Sequence, residues 1–293
     1  MSRARPSRRG RRTVADRHAE IQARIANVTQ LQAVVTAMRG IAAARAQHGR
    51  SLLSAIDAYG RLVGGAIGRA AVGATADETP AASAPPRTAL VAFCAEEGFA
   101  GAFSEHILDA VAAAAPEALI IVGTRGAAIA RERGIEPTHT AVMPSHVDAL
   151  PALATSLVDM VYEMLAEGEV SRLEVVFGRQ VSDSAVAAER ISVLPLDTAR
   201  FRPQKRTEPP LTTLPPAVLV ERLAAEYVFA ALCATAMHAY VAENDARLRA
   251  MAAARNNIEQ RLTDLSMTEK ALRQEEITSE IIELCAGAEA ARS

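Results

Sequence analysis

Residues that readily do chemistry are sparse in this 293-residue chain: six histidines, three cysteines and two lysines. His18, His48, His106, His139, His146 and His238 stand at no metal-ligand spacing, either with one another or with Cys94, Cys233 and Cys285. No Ser-His-Asp grouping is visible. With only Lys205 and Lys270, no lysine is placed to form a Schiff base or clamp a phosphate. The cysteines are odd in number, far apart and set among apolar neighbours, so they read as buried thiols of a reducing compartment. On these grounds the sequence assigns no catalytic residue, no cofactor and no metal.

Two glycine-containing turns follow apolar runs, where phosphate loops live. "EEGFAGAFS" (96–104) offers Gly98 and Gly101, but it lacks a third glycine and the Lys-Ser/Thr pair of a phosphate loop. Glu96 and Glu97 would also repel a phosphate. "GTRGAAIARERG" (123–134) is equally incomplete, and a turn with a helix-ending Gly134 accounts for it. The better-organised polar residues lie on helical stretches. Arg247 and Arg249 sit beside an apolar seam, Arg255, Asn256 and Asn257 interrupt it, and Arg273, Gln274 and Thr278 follow near the end. Solvated i,i+4 pairs would stabilise such a helix by only about 0.3–0.5 kcal/mol each. However, "MRGIAAARA" and "IIELCAGA" are apolar on several sides, more than a two-helix rod can bury by itself, so a surrounding partner is implied.

The elements that carry these residues follow from hydrophobic period. Half the residues are hydrophobic, aromatics are 3% and tryptophan is absent, a composition that favours closely packed long helices. From about residue 16 to 70, Ile21, Val28, Leu31, Val35, Met38, Ala42, Leu52 and Ile56 keep a three-four spacing, with Arg24, Arg45 and Gly49 as exceptions. After Pro216 a second helix repeats the pattern through Leu223, Ala230, Met237, Met251, Ile258, Leu262, Leu265 and Leu272, interrupted by Asn244, Arg255 and Glu269. Past 272 the register is expected to slip by one, to Ile277, Ile281 and Leu284. These helices would run on the order of 80 and 100 Å at about 1.5 Å per residue. Between them, apolar runs at 88–95, 118–123, 172–178 and 191–196 read as strands. They alternate with helices at about 104–114, 125–133 and 147–166.

The fold class predicted is α/β with long helices. An antiparallel coiled coil of the N- and C-terminal helices carries an inserted, small Rossmann-like α/β domain with a mostly parallel sheet. The domains are then a basic leader (1–15), a coiled-coil helix (16–72), a linker (73–86), the α/β domain (87–197), a second linker (198–216) and the C-terminal helix (217–293). The leader carries Arg3, Arg5, Arg8, Arg9, Arg11 and Arg12 and reads as a solvated, disordered segment. A nucleic-acid arm, a membrane arm or a transit peptide is the other use of such a run, and deleting it is expected to leave assembly intact. The net charge of −2 provides no global field for nucleic acid, and no nucleic-acid partner is expected. No run of 18 uninterrupted apolar residues occurs.

Three blocks resemble the gamma subunit of the F-type ATP synthase, the central rotor shaft. They are "RIANVTQLQAVVTAMRGIAAARA" (24–46), "FCAEEGFAGAFSEHI" (93–107), and the pair "ENDARLRAMAAARNN" (243–257) and "RQEEITSEIIELCAGAEA" (273–290). Their order and spacing match along essentially the whole chain. The resemblance implies a non-catalytic shaft that turns inside a hexamer of three catalytic and three non-catalytic subunits. It would be present in one copy, touching an epsilon-type subunit and a membrane rotor ring. It also implies a peripheral place on the cytoplasmic face of a bacterial inner membrane. By motif match, Met38, Arg247, Gln274 and Thr278 are the implied partner contacts, and Arg247→Ala is expected to weaken coupling with the fold intact. Three departures stand out: "VTQLQAVVT" lacks the family's usual lysine, Gly40 replaces a larger residue, and Glu97 stands where arginine is usual. The N-terminal block looks closer to the divergent N-type branch of bacterial gamma subunits. The rival readings are a nucleotide-dependent α/β enzyme with helical extensions and a self-associating coiled-coil scaffold.

Overall fold

The computed structural model describes residues 14–71, 86–182, 185–201 and 212–290. Residues 1–13 of the leader and most of both linkers therefore lie outside the described residues, while residues 14 and 15, expected in the leader, begin the first helix. Two long helices, α1 (Val14–Ala71) and α5 (Pro216–Ala290), bracket β1 (Thr88–Phe93), α2 (Phe103–Ala114), β2 (Ala118–Val122), α3 (Thr124–Glu132), β3 (His139–Ala141), α4 (Leu150–Ala166), β4 (Arg172–Ser182) and β5 (Ala185–Leu194). The chain divides into two units, residues 40–250 and a second made of 1–39 with 251–293.

In the 40–250 unit the five strands form one sheet in the order β3-β2-β1-β4-β5. β1 pairs in parallel with β2 and β4, β3 pairs in parallel with β2, and β5 returns antiparallel along β4. Side chains alternate between the two faces of a strand, and both faces here are covered. Ala89, Val91 and Phe93 point into a core with α4 and the middle of α5, while Leu90 and Ala92 point into a second core with α2 and α3. Double coverage is why the central strands read as unbroken apolar runs. The stretch Val147–Ala166 is long and apolar enough to cross a membrane. Here its stripe of Leu150, Leu153, Leu157, Val161 and Met164 enters the sheet core instead. β3 has no counterpart among the strands predicted. It is three residues long, with His139 and Thr140 exposed, so it lacks the apolar run that marks β1 and β2.

Within the same unit α1 and α5 run antiparallel. Arg50 bonds Asp245, Asp57 faces His238 at 3.2 Å, and Tyr59 bonds Glu226, so numbers rise on one helix as they fall on the other. Gly49 permits close approach, because a Cβ there would stand 2.6 Å from a methyl of Val241.

The other unit holds an antiparallel pair as well. Arg17 meets Glu275 at 3.0 Å, and Gln22 donates to Glu269 at 3.1 Å. On α5 the half-buried positions 255, 258, 262, 265, 269, 272 and 276 keep the 3.5 repeat. The expected slip after 272 does not occur: the seam continues to Glu276, and every described residue beyond it is exposed, Leu284 at 74%. On α1 the seam passes through Ile21, Ile25, Val28, Gln32 and Val35, whereas Leu31 is 56% exposed. The expected phase was thus half right. Arg24 yields to Ile25 because the adjacent apolar row gives nearly the same spacing. Of the cysteines, Cys94 and Cys233 are buried, but Cys285 is exposed.

Candidate functional site

The polar run Glu243-Asn244-Asp245-Ala246-Arg247 interrupts a nearly apolar stretch of α5, and the sheet side of the unit buries it. Glu243, Asn244, Asp245 and Arg247 are each at most 4% exposed. Burial of this kind demands partners within the chain, and nearly all are supplied; among the described residues one carboxylate oxygen of Asp245 is left without a hydrogen bond. Arg247 donates to the Glu243 carboxylate at 2.6 Å, one helical turn back, and to Asn244 Oδ1 at 3.3 Å. Its remaining donors reach the carbonyls of Glu97 and Gly98, both at 3.3 Å. Glu243 in turn accepts from the Glu96 amide at 3.2 Å. Burial lifts the Glu243 carboxyl above the usual carboxylate range, and the Arg247 guanidinium opposes that rise. From α1, Arg50 reaches Asp245, and Arg45 lies 3.6 Å from the Glu97 carboxylate. A single polar node therefore ties α5, α1 and the β1–α2 turn together.

The turn so held presents Phe99 to solvent at 66% exposure, with φ +64. A left-handed backbone at a bulky residue is costly, about 1–3 kcal/mol, and persists only where surrounding contacts over-determine it. The bonds from Arg247 to the two preceding carbonyls supply that constraint.

The two glycine turns have structural duties. Glu96 accepts from the Thr124 amide at 3.0 Å, the Thr124 hydroxyl at 2.6 Å and the Met143 amide at 2.8 Å. Its carboxylate thus occupies the N-terminus of α3, where a phosphate would sit. Gly126 lies so close to Cys94 that a Cβ would collide with that side chain. Burial pushes the Cys94 thiol up to about 12, so it is no nucleophile near neutral pH.

The four residues singled out in the sequence do not form one cluster. Arg247 belongs to the buried node. In the other unit, Gln274 and Thr278 are exposed on α5, with the Thr278 hydroxyl donating to the Gln274 carbonyl at 2.8 Å, and Met38 is half-buried on α1. The node explains Arg45, which was noted only as an off-pattern residue, and gives roles to Glu243, Asp245 and Arg50, which sequence reading missed. The available signal was the i,i+4 spacing of Glu243 and Arg247 within an alanine-rich helix. An intact fold on removing Arg247 is no longer expected, because Glu243 would be left buried without its cation.

Comparison with known proteins fits this architecture. A protein-family model described as ATP synthase matches residues 17–291. The ATP synthase gamma chain of Streptomyces griseus is 30% identical over 286 residues, covering 91% of this chain and 93% of that one. The chain belongs to the gamma-chain family of ATP synthases. The gamma chain of Symbiobacterium thermophilum is 24% identical and covers 94% of this chain. Among solved structures, a chain of the Euglena gracilis mitochondrial ATP synthase superposes with TM-score 0.65 at 14% identity, covering 94% of this chain and 95% of its own. A chain from the central stalk and c-ring structure of the Tetrahymena thermophila enzyme superposes with TM-score 0.57 at 15% identity, covering 75% of this chain and 99% of its own. At those identities the likeness is one of fold.

Proposed function

We propose that this chain is the non-catalytic central-stalk subunit of a membrane-associated ATP synthase, transmitting torque between an ion-driven membrane ring and a catalytic head. The observation that carries the reading is the family match across residues 17–291, joined to antiparallel pairing of the two longest helices. In this reading the end of α5 turns within a sleeve of head subunits. Ile277, Ile281, Ile282 and Leu284, all at least 50% exposed, supply apolar contact there, and Met38, Gln274 and Thr278 supply the remaining grip. Arg247 acts indirectly, by fixing the turn that presents Phe99. Coupling then arises from contacts that differ between rotary states, since only a differential interaction can shift an equilibrium. The partners are three catalytic and three non-catalytic head subunits, an epsilon-type subunit and the membrane ring, with one copy of this chain per complex. The complex sits on the cytoplasmic face of a bacterial inner membrane.

Native mass spectrometry of the tagged chain, purified gently from its own cells, tests this. One copy with three each of two larger nucleotide-bearing chains is expected. A symmetric homodimer, or a lone chain that binds nucleotide, would overturn it.

A further inference from the structure

A cavity of 590 Å³ opens within the 40–250 unit between α1, α5, the sheet and the 3-10 turn Thr198–Phe201. Three arginines, Arg61, Arg179 and Arg200, line it together with one acidic residue, Asp57. Asp57 is engaged by His238 and Arg179 by Glu189. Among the described residues, neither Arg61 nor Arg200 makes an ion pair or a side-chain hydrogen bond. The floor is of a different character: Ala231 and its neighbours on α5, with the Tyr227 ring set edge-on to Phe201 at 5.0 Å between centroids.

The glycines of α1 supply an independent observation. Glycine in a helix interior is destabilising relative to alanine, so each one calls for a reason. Gly64 and Gly68 have one, because side chains there would collide with Phe201, whose carbonyl lies against Gly68. That contact seats the turn bearing Arg200 on α1. Gly60 has no such reason: a Cβ there would meet nothing within 4 Å, and the residue lines the cavity. Its effect is to keep the cavity open.

We propose that this cavity binds a small organic phosphate, a phosphate monoester attached to a flat apolar ring. Guanidinium groups recognise phosphate oxygens through paired, charge-assisted hydrogen bonds. The ring rests on the alanine floor beside Tyr227, and the volume suits a ligand of that size. This site is independent of the shaft reading and would stand or fall without it.

The test uses the full chain and 1-naphthyl phosphate, whose fluorescence anisotropy is readable because the protein has no tryptophan. Saturable binding at one site is expected, weakened by about tenfold or more in the Arg61→Ala, Arg200→Ala double variant. Gly60→Leu, whose Cβ would meet nothing within 4 Å and whose side chain would take up cavity space, is expected to abolish it while circular dichroism stays unchanged. Arg249→Ala, in a separate cavity, leaves it unaltered. Equal affinity for 1-naphthol would reduce the site to an apolar crevice and overturn the proposal. So would binding insensitive to both cavity variants, or displacement of the probe by an acidic peptide at lower concentration than by free phosphate ester.

Discussion

Residues 243–247 and 273–284 lie on the same helix and carry similar polar patterns, yet their surroundings are opposite. In the first run every charged side chain is buried and bonded within the chain. In the second, apart from the half-buried Glu276 and the exposed Arg17–Glu275 pair, polar and apolar side chains alike face solvent, with Gln274 and Thr278 joined only through a backbone carbonyl. Polar residues of an α-helix therefore serve two physical purposes here. Buried, they fix which loop packs against the helix; exposed, they leave stability untouched and are available to a partner. The comparison can be broken or sharpened by substitution, because the two purposes predict different costs.

The largest effect is expected at the node. Arg247→Ala leaves the Glu243 carboxylate buried without its cation, which should cost about 3–5 kcal/mol of stability in denaturant unfolding of the full chain. Replacing both, Glu243→Leu with Arg247→Met, should recover a large part of that loss, since an apolar pair has no charge to desolvate. If the double variant is as unstable as the single one, the bonds to Glu97 and Gly98 matter more than the ion pair.

That node also marks where the sequence stops being informative. The strands β1 and β2 and the α5 seam from Met251 to Leu272 were legible because apolar spacing reports directly on which side of an element is buried. The phase of α1 was less so: in an alanine-rich helix Leu31 and Ile25 belong to nearly equivalent rows, and burial chose Ile25. The sequence places Arg247 only beside the apolar seam, and its burial is not legible there because helical period gives direction without depth. Its partners, the carbonyls of Glu97 and Gly98, lie about 150 residues away and have no side-chain signature. Glu96 reads in the sequence as repelling a phosphate, and its carboxylate does occupy the N-terminus of α3, a seat that apolar spacing alone could not locate.

A smaller effect is expected one layer out. Arg50→Ala removes the partner of Asp245, whose side chain is 3% exposed, but Arg50 itself is 36% exposed and water can reach the gap. The loss should be about 1–3 kcal/mol, less than at Arg247. An equal loss would mean that exposure of the cation does not discount the pair.

His238 adds a pH dependence to this buried region. Burial, then the nearby Arg179, lower its affinity for a proton, while Asp57 and Glu189 raise it, and the balance is downward from an ordinary value of about 6.5. The unfolded chain therefore takes up the proton first as pH falls. Stability from His238 is fully present above about 6.5 and declines as pH drops through the lower folded value. Thermal midpoints should fall between pH 7.5 and 5.5, and His238→Gln should flatten that slope. An unchanged slope would place the sensitivity elsewhere.

The smallest effect on the isolated chain is expected at Thr278. Its hydroxyl returns a hydrogen bond to the carbonyl four residues back, a bond that competes with water and stabilises a helix little. Thr278→Ala removes a branched side chain from an exposed helix position and leaves nothing buried unpaired. Its stability change should stay within about 0.5 kcal/mol. The same substitution is expected to lower ATP-driven rotation in the assembled complex, because the hydroxyl is proposed to meet a head subunit there. Normal rotation together with normal stability would remove Thr278 from the contact set. A large loss of stability in the isolated chain would break the contrast itself, since an exposed polar residue on α5 would then act as a buried one does.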